Sequence, residues 1–158
     1  MLRVDIRDLQ RGQVKTVGEL QPDDPAFEGL DLSLVGPVSV TGQLQATAPG
    51  EYLWRGAFRG AVQTDCRRCL TEVRTHLDIV VDAAIFTSDP EAADDPDSYP
   101  LLERASHIDI RDVAREELAL AFPVRLLLCR EDCAGLCPNC GADLNAGDCG
   151  CAAPAEPV

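Results

Sequence analysis

Apolar and polar side chains alternate over much of the N-terminal half of the chain, the period of strands buried on one face. Leu2, Val4 and Ile6 alternate with Arg3, Asp5 and Arg7, and Val38 and Val40 with Ser39 and Thr41. Tyr52, Trp54, Phe58 and Val62 share one parity, while Arg55, Arg59 and Gln63 take the other. Val73, Leu77, Ile79, Val81, Ala83 and Ile85 lie on odd positions against Glu72, Arg74, His76, Asp78 and Asp82 on even ones. The gaps between these runs are too short for crossover helices, so the pattern predicts a mainly antiparallel sheet with one apolar face. The period then changes. Ile110, Val113, Ala114, Leu118 and Ala121 recur as one face of a helix over 109–122, with Asp109 as N-cap, Asp112 in the first turn and Pro123 as its stop. A helix of that kind is expected to cover the sheet, which gives an α+β fold.

Between strand and helix patterns lies Thr87 to Glu103, which carries a net charge of −6 and three prolines. Such a stretch buries too little surface to offset its ordering entropy, and the expectation is an acidic loop over 87–103. It accounts for nearly half of the formal charge of −13, set by 14 basic and 27 acidic side chains. That charge excludes a protein that coats duplex DNA with a basic face. The longest apolar run, Leu118 to Val124, is too short for a membrane span, and the first residues lack the apolar core of a secretory signal. A cytoplasmic protein is expected.

In a reducing compartment the eight cysteines read as metal ligands and not as disulfides. Cys66 and Cys69 form a C-x2-C pair in mid-chain; Cys129, Cys133, Cys137, Cys140, Cys149 and Cys151 crowd near the end. Cys137-Pro138-Asn139-Cys140-Gly141 has the form of a zinc knuckle, in which two intervening residues let both sulfurs reach one ion and glycine permits the turn. Cys149 and Cys151 complete a local four-thiolate site. Cys66, Cys69, Cys129 and Cys133 make a second, provided the fold brings Cys66 close to Cys129; partitions that mix ligands, such as Cys133 with Cys137, stay open. The expected cofactors are two structural zinc ions, with an iron–sulfur or redox-active cysteine protein as the alternative.

The parts of an enzyme are missing from the motif inventory. Lys15 is the only lysine and follows no phosphate-binding glycine loop, and His76 and His107 form no H-E-x2-H. All-cysteine sites are closed to water, unlike catalytic zinc. The expectation is a non-enzyme with no small-molecule substrate. Against the global acidity, Arg55, Arg59, Arg67, Arg68 and Arg74 cluster with only Asp65 and Glu72 between them. They either contact phosphate or balance nearby thiolate and carboxylate charge.

The D-C-R-R-C-L turn at 65–70, the acidic loop, I-D-I-R-D-V-A-R-E-E-L-A-L at 108–120, Pro123, and C-R-E-D-C-A-G-L-C-P-N-C-G-A-D-L-N ahead of C-x-C together resemble the YceD (DUF177) family over nearly the whole chain. Members are known as large-ribosomal-subunit rRNA accumulation proteins, and some lack the distal cysteines. The resemblance implies a role in large-subunit biogenesis. It also implies that Cys137, Cys140, Cys149 and Cys151 form an added stabilising site, and that the Cys66–Cys69 pair, with Cys133 as distal counterpart, is the more general element. The expected organisation is a β-rich domain over 1–128, a metal-binding segment over 129–151 packed on it, and a disordered tail over 152–158. The expected partner is a large-subunit precursor, met through rRNA or a basic ribosomal protein, with no membrane and no DNA.

Overall fold

A computed structural model of the protein describes residues 2–121 and 128–151. Pro123, Phe122 and the tail over 152–158, to which the sequence assigned a helix stop, a last helical residue and disorder, lie outside the described residues. The chain divides into two compact units, Met1–Val62 with His76–Val124, and Gln63–Thr75 with Arg125–Val158.

The first unit holds most of a five-stranded sheet in the order β2-β3-β4-β5-β6, formed by β2 (Val14–Leu20), β3 (Val38–Ala48), β4 (Glu51–Asp65), β5 (Glu72–Thr87) and β6 (Ser98–Pro100). β2, β3 and β4 pair antiparallel, with Thr16 opposite Gly42 and Gly42 opposite Gly56. Arg59 Nε meets Asp78 Oδ1 at 3.3 Å and, nearer the turn, Gln63 Nε2 meets Glu72 Oε1 at 2.8 Å, so β4 and β5 also run in opposite directions. A second, two-stranded ladder pairs β1 (Arg3–Asp5) with β7 (His107–Asp109). The main helix, α2 (Arg111–Ala121), buries Val113, Ala114 and Leu118 in one apolar cluster with Trp54, Phe58 and Phe86. The fold is therefore mainly antiparallel sheet with one main helix.

One side chain organises the sheet's inner face. Trp54 is fully buried, and its indole N–H donates to Thr16 Oγ1 at 2.8 Å, two strands away. The ring lies across the cross-strand row of Gly56 and Gly42 to get there. A Cβ at Gly42 would fall 2.6 Å from the ring, and one at Gly56 2.4 Å from it. Bare backbone at these two positions is what lets the indole lie flat on the sheet. The hydroxyl of Thr16 then satisfies a donor whose burial without a partner would cost about 1–3 kcal/mol.

Three expectations need correction. Ile6 does not continue the first strand: the Asp5 carboxylate accepts from Arg7 N at 2.9 Å and caps a single helical turn, α1 (Ile6–Leu9). The odd-parity face of β5 holds only as far as Val81. Ala84 and Phe86 are the next buried positions, so the alternation slips by one residue beyond Asp82. Within the mainly antiparallel sheet, β6 joins β5 in parallel register, Phe86 opposite Tyr99. That strand lies inside the stretch read as an acidic loop, because Tyr99 supplies the apolar anchor that composition hid. Its ring stacks on Phe86 with centroids 5.2 Å apart. Asp109 does cap the helix as expected, accepting from Arg111 N at 3.0 Å.

Burial and the neighbouring Glu116 carboxylate raise the Tyr99 phenol well above its ordinary value. A raised pKa stabilises the fold below the unfolded tyrosine value and loses that contribution as pH climbs past it. Alkaline unfolding should therefore begin above about pH 10, with Tyr99→Phe shifting it upward in a fluorescence-monitored titration. Gly56→Ala should lower stability in denaturant by about 1–3 kcal/mol through overpacking against Trp54. Gly36→Ala, where a Cβ meets nothing within 4 Å, should stay within about 0.5 kcal/mol of the parent.

Candidate metal centres

The second unit contains two turns of the same construction. In Cys66-Arg67-Arg68-Cys69-Leu70 the Leu70 amide donates to the Cys66 carbonyl at 2.9 Å, and the Cys66 amide to the Thr71 carbonyl at 2.7 Å. In Cys137-Pro138-Asn139-Cys140-Gly141 the Gly141 amide donates to the Cys137 carbonyl at 2.9 Å, and the Cys137 amide to the Ala142 carbonyl at 2.8 Å. Both turns need a left-handed residue after the second cysteine: Gly141 adopts φ +75° and Leu70 φ +61°. The glycine was legible in sequence. The leucine was not, because it occupies a conformation that costs an L-residue with a Cβ about 1–2 kcal/mol.

Each turn aims backbone N–H groups at its leading sulfur. Hydrogen bonds led by that from the Cys69 amide lower the Cys66 thiol to about 6, and bonds led by that from the Cys140 amide do the same for Cys137. The thiol of Cys133 is also lowered, chiefly by a hydrogen bond from the Asn145 side chain. Cys129 is pushed up to about 12 by desolvation and by crowding against the thiols of Cys69, Cys133 and Cys66; because the residue is exposed, the crowding carries more weight. Cys151 rises to about 11 through its contacts with Cys140, Cys149 and Cys137. In each group of four, then, some sulfurs ionise early and a last one resists a further negative charge.

The structure brings the eight cysteines together as two quartets, Cys66, Cys69, Cys129 and Cys133 in one, Cys137, Cys140, Cys149 and Cys151 in the other. Within each, all four Sγ atoms lie within 4.8 Å of one another. No cysteine is in a disulfide. Cys66 and Cys133 are 3.7 Å apart at sulfur, Cys69 and Cys129 3.6 Å. A tetrahedral ion with metal–sulfur bonds of about 2.3 Å has edges of about 3.8 Å. The donor set therefore fits a single tetrahedral ion at each centre, and the mixed partition of Cys133 with Cys137 is not the one adopted. A multi-iron cluster would hold its four thiolates farther apart than this. Each quartet could hold one metal ion, whose charge would offset the repulsion that keeps the last thiol protonated.

The two centres differ in cover. Cys66, Cys69 and Cys133 are buried, with Val73, Leu128 and Leu136 packed on them. In the other quartet Cys137 is buried, Cys149 half-buried and Cys140 exposed.

The five arginines divide between the units. Arg55 and Arg59 stand on the exposed side of β4, Arg55 donating to the Asp82 carbonyl at 3.0 Å and Arg59 paired with Asp78. Arg67 and Arg68 lie in the first turn and Arg74 on β5. Arg68 Nη1 donates to the Cys133 carbonyl at 3.0 Å, which fastens the turn to a ligand segment of the same centre. Leu70, beside them, is 62% exposed.

Comparison with known proteins decides the family. Residues 54–157 match the model of the large ribosomal RNA subunit accumulation protein YceD. The chain belongs to the YceD family. That family is not known as one of enzymes, and its name ties it to the RNA of the large ribosomal subunit. The match takes in both cysteine-bearing segments. The chain is also 30% identical over 127 residues to Uncharacterized protein Rv2926c of Mycobacterium tuberculosis and to Uncharacterized protein Mb2951c of Mycobacterium bovis. The matched stretch is 77% of this chain and 54% of theirs, so it spans about half the length of these curated relatives. No solved structure matches. Among the described residues no helix is long and apolar enough to cross a membrane.

Two outcomes follow from the thiol geometry. Protons and metal compete for the same sulfurs, and below about pH 6 the two early thiolates, Cys66 and Cys137, become protonated. Metal affinity should thus fall with pH already above about 7, where Cys129 and Cys151 must shed protons to bind, and more steeply below about 6, read as transfer of metal to a chromophoric chelator. Gly141→Leu should cost about 1–2 kcal/mol in denaturant unfolding of the metal-loaded protein. Leu70→Gly should cost nothing, since relief of the left-handed strain offsets the added freedom of the unfolded chain.

Proposed function

We propose that the protein is a cytoplasmic, non-enzymatic factor in biogenesis of the large ribosomal subunit, supporting accumulation of its 23S rRNA, with a structural zinc ion in each cysteine quartet. The observation that carries the reading is the family match over 54–157, which includes every cysteine. All-thiolate donor sets with sulfur spacings near a tetrahedral edge suit zinc, a redox-inert ion, and leave no open coordination position for chemistry.

The partner is a large-subunit precursor. Net charge of −13 attracts a basic ribosomal protein and repels bare RNA through a field screened within about 8 Å at physiological salt. Contact with rRNA would run through Arg55, Arg59, Arg67, Arg68 and Arg74, with Arg67 the foremost. Arg68 already has one donor committed to Cys133, and Arg59 faces Asp78. The exposed Leu70 beside Arg67 gives that turn an apolar contact as well as a charged one.

Cells growing exponentially provide the test. The tagged protein should co-sediment with large-subunit precursors and carry two zinc per chain, and its absence from every precursor fraction would sink the assembly role. If RNA is touched directly, Arg67→Gln with Arg68→Gln should weaken binding and lower the salt slope by roughly one to two counterions. An unchanged slope would leave the basic protein as the partner.

A further inference from the structure

The residues between Cys140 and Cys149 form the loop that the exposed quartet closes, yet one of them reaches the buried quartet. Asn145 sits in a single 3-10 turn, Leu144–Ala146, capped by Asp143, whose carboxylate accepts from Asn145 N at 2.9 Å. Its side-chain Oδ1 accepts from Arg130 Nη2 at 2.7 Å and from Ala134 N at 2.9 Å. Both partners can only donate, so the amide orientation is determined and Nδ2 must face the other way. There it donates to Cys133 Sγ at 3.3 Å. The same loop is pinned to this segment by the Leu144 amide on the Gly135 carbonyl at 2.9 Å and by a bridge between Leu136 and Asp143.

We propose that Asn145 couples the two centres, so that closing the exposed quartet around its ion positions a hydrogen-bond donor on a ligand of the buried one. The proposal rests on the reading of both quartets as metal sites. A donor on a coordinating thiolate steadies its charge and orientation, and loss of such an outer contact typically weakens metal binding 10–100-fold. With Cys149 and Cys151 unbound, the residues beyond Asn145 lose their far anchor and only the contacts of Ala142, Asp143 and Leu144 hold the turn, so keeping Asn145 on Cys133 carries an ordering cost that the closed loop has already met. Coupling between binding sites is reciprocal: an ion in the buried quartet, by holding Cys133 and the segment around Asn145, tightens the exposed quartet by the same factor. The exposed centre is thus a clamp on the buried one, and loss of its ion would loosen the turn that carries Arg67 and Leu70.

Cobalt(II) titration of the reduced full-length chain tests this, since thiolate-to-cobalt charge transfer reports each filled site. The parent should bind two ions. Asn145→Leu should still bind two but weaken the buried site 10–100-fold, and its charge-transfer band should move to longer wavelength because the Cys133 sulfur has lost its donor. Cys149→Ser with Cys151→Ser should bind one ion, weakened by a comparable factor. Adding Asn145→Leu to that pair should weaken the remaining site further by less than its effect in the parent, because both changes remove one contact. If the remaining site keeps parental affinity in the cysteine variant, or the effects multiply, the coupling does not exist. Should Asn145→Leu disturb folding, seen as a change in Trp54 fluorescence, Asn145→Asp retains size and both acceptor contacts while removing the donor. It should weaken the buried site likewise, and unchanged affinity would overturn the proposal. A parent chain that takes up no cobalt overturns the metal reading itself, whereas two ions bound independently overturn only the coupling.

Discussion

Four thiols drawn within 4.8 Å of one another form an arrangement that opposes itself as soon as they ionise. Each thiolate raises the cost of the next, so Cys129 and Cys151 resist deprotonation, whereas backbone N–H groups let Cys66 and Cys137 give up their protons readily. A metal ion held by the four sulfurs would offset that repulsion, and no covalent bond does so, since none of the eight cysteines is in a disulfide. Among the described residues of the second unit, the apolar cover is Val73, Leu128 and Leu136 around the buried quartet. Its geometry therefore hangs on sulfur convergence, and the backbone hydrogen bonds of the two knuckles, the Arg68 contact and the Asn145 contact all converge on ligand residues.

The first unit solves a different problem with ordinary packing. Its central strands hold an indole pressed against two glycines, with a threonine on the third strand taking the buried N–H. Helix α2 adds its apolar stripe to the same cluster. Arg115 on that helix donates to the carbonyls of Ala26 and Glu28, both at 2.7 Å, tying the helix to the segment between β2 and β3. None of this depends on a metal.

What was legible beforehand divides along the same physical line. Side-chain chemistry at fixed spacing was readable: the local grouping of Cys137 and Cys140 with Cys149 and Cys151, the alternation of β3 and β4, and the helix behind Asp109. Mixed cysteine partitions stayed open until the fold brought Cys66 and Cys69 to Cys129 and Cys133. Features set by long-range partners were not. Strand β2 was missed because the position it buries most fully, Thr16, is polar and is satisfied only by Trp54, while the apolar Val17 on the same strand is exposed. β6 was hidden by acidic neighbours because its single anchor, Tyr99, needs Phe86 to be recognised as one. The role of Asn145 had no local signal either, since its partner Cys133 lies on the far side of a knuckle. The arginines were visible as a cluster, but only coordinates divide them into those spoken for by Asp78, Asp82 and Cys133 and the rest.

The two knuckles share the same pair of main-chain hydrogen bonds and a pair of sulfurs each, and the side chains between the cysteines take no part in those bonds. One turn carries Arg67 and Arg68 there, the other Pro138 and Asn139. Such a turn behaves as a socket whose tip can be exchanged at Arg67, whereas Arg68 is tied to the Cys133 carbonyl and belongs to what holds the turn in place. Leu70 extends that latitude to the residue behind the second cysteine, where even a bulky side chain is carried at modest expense. The exposed positions Arg67 and Leu70 can thus vary while the main-chain bonds that close the turn are kept.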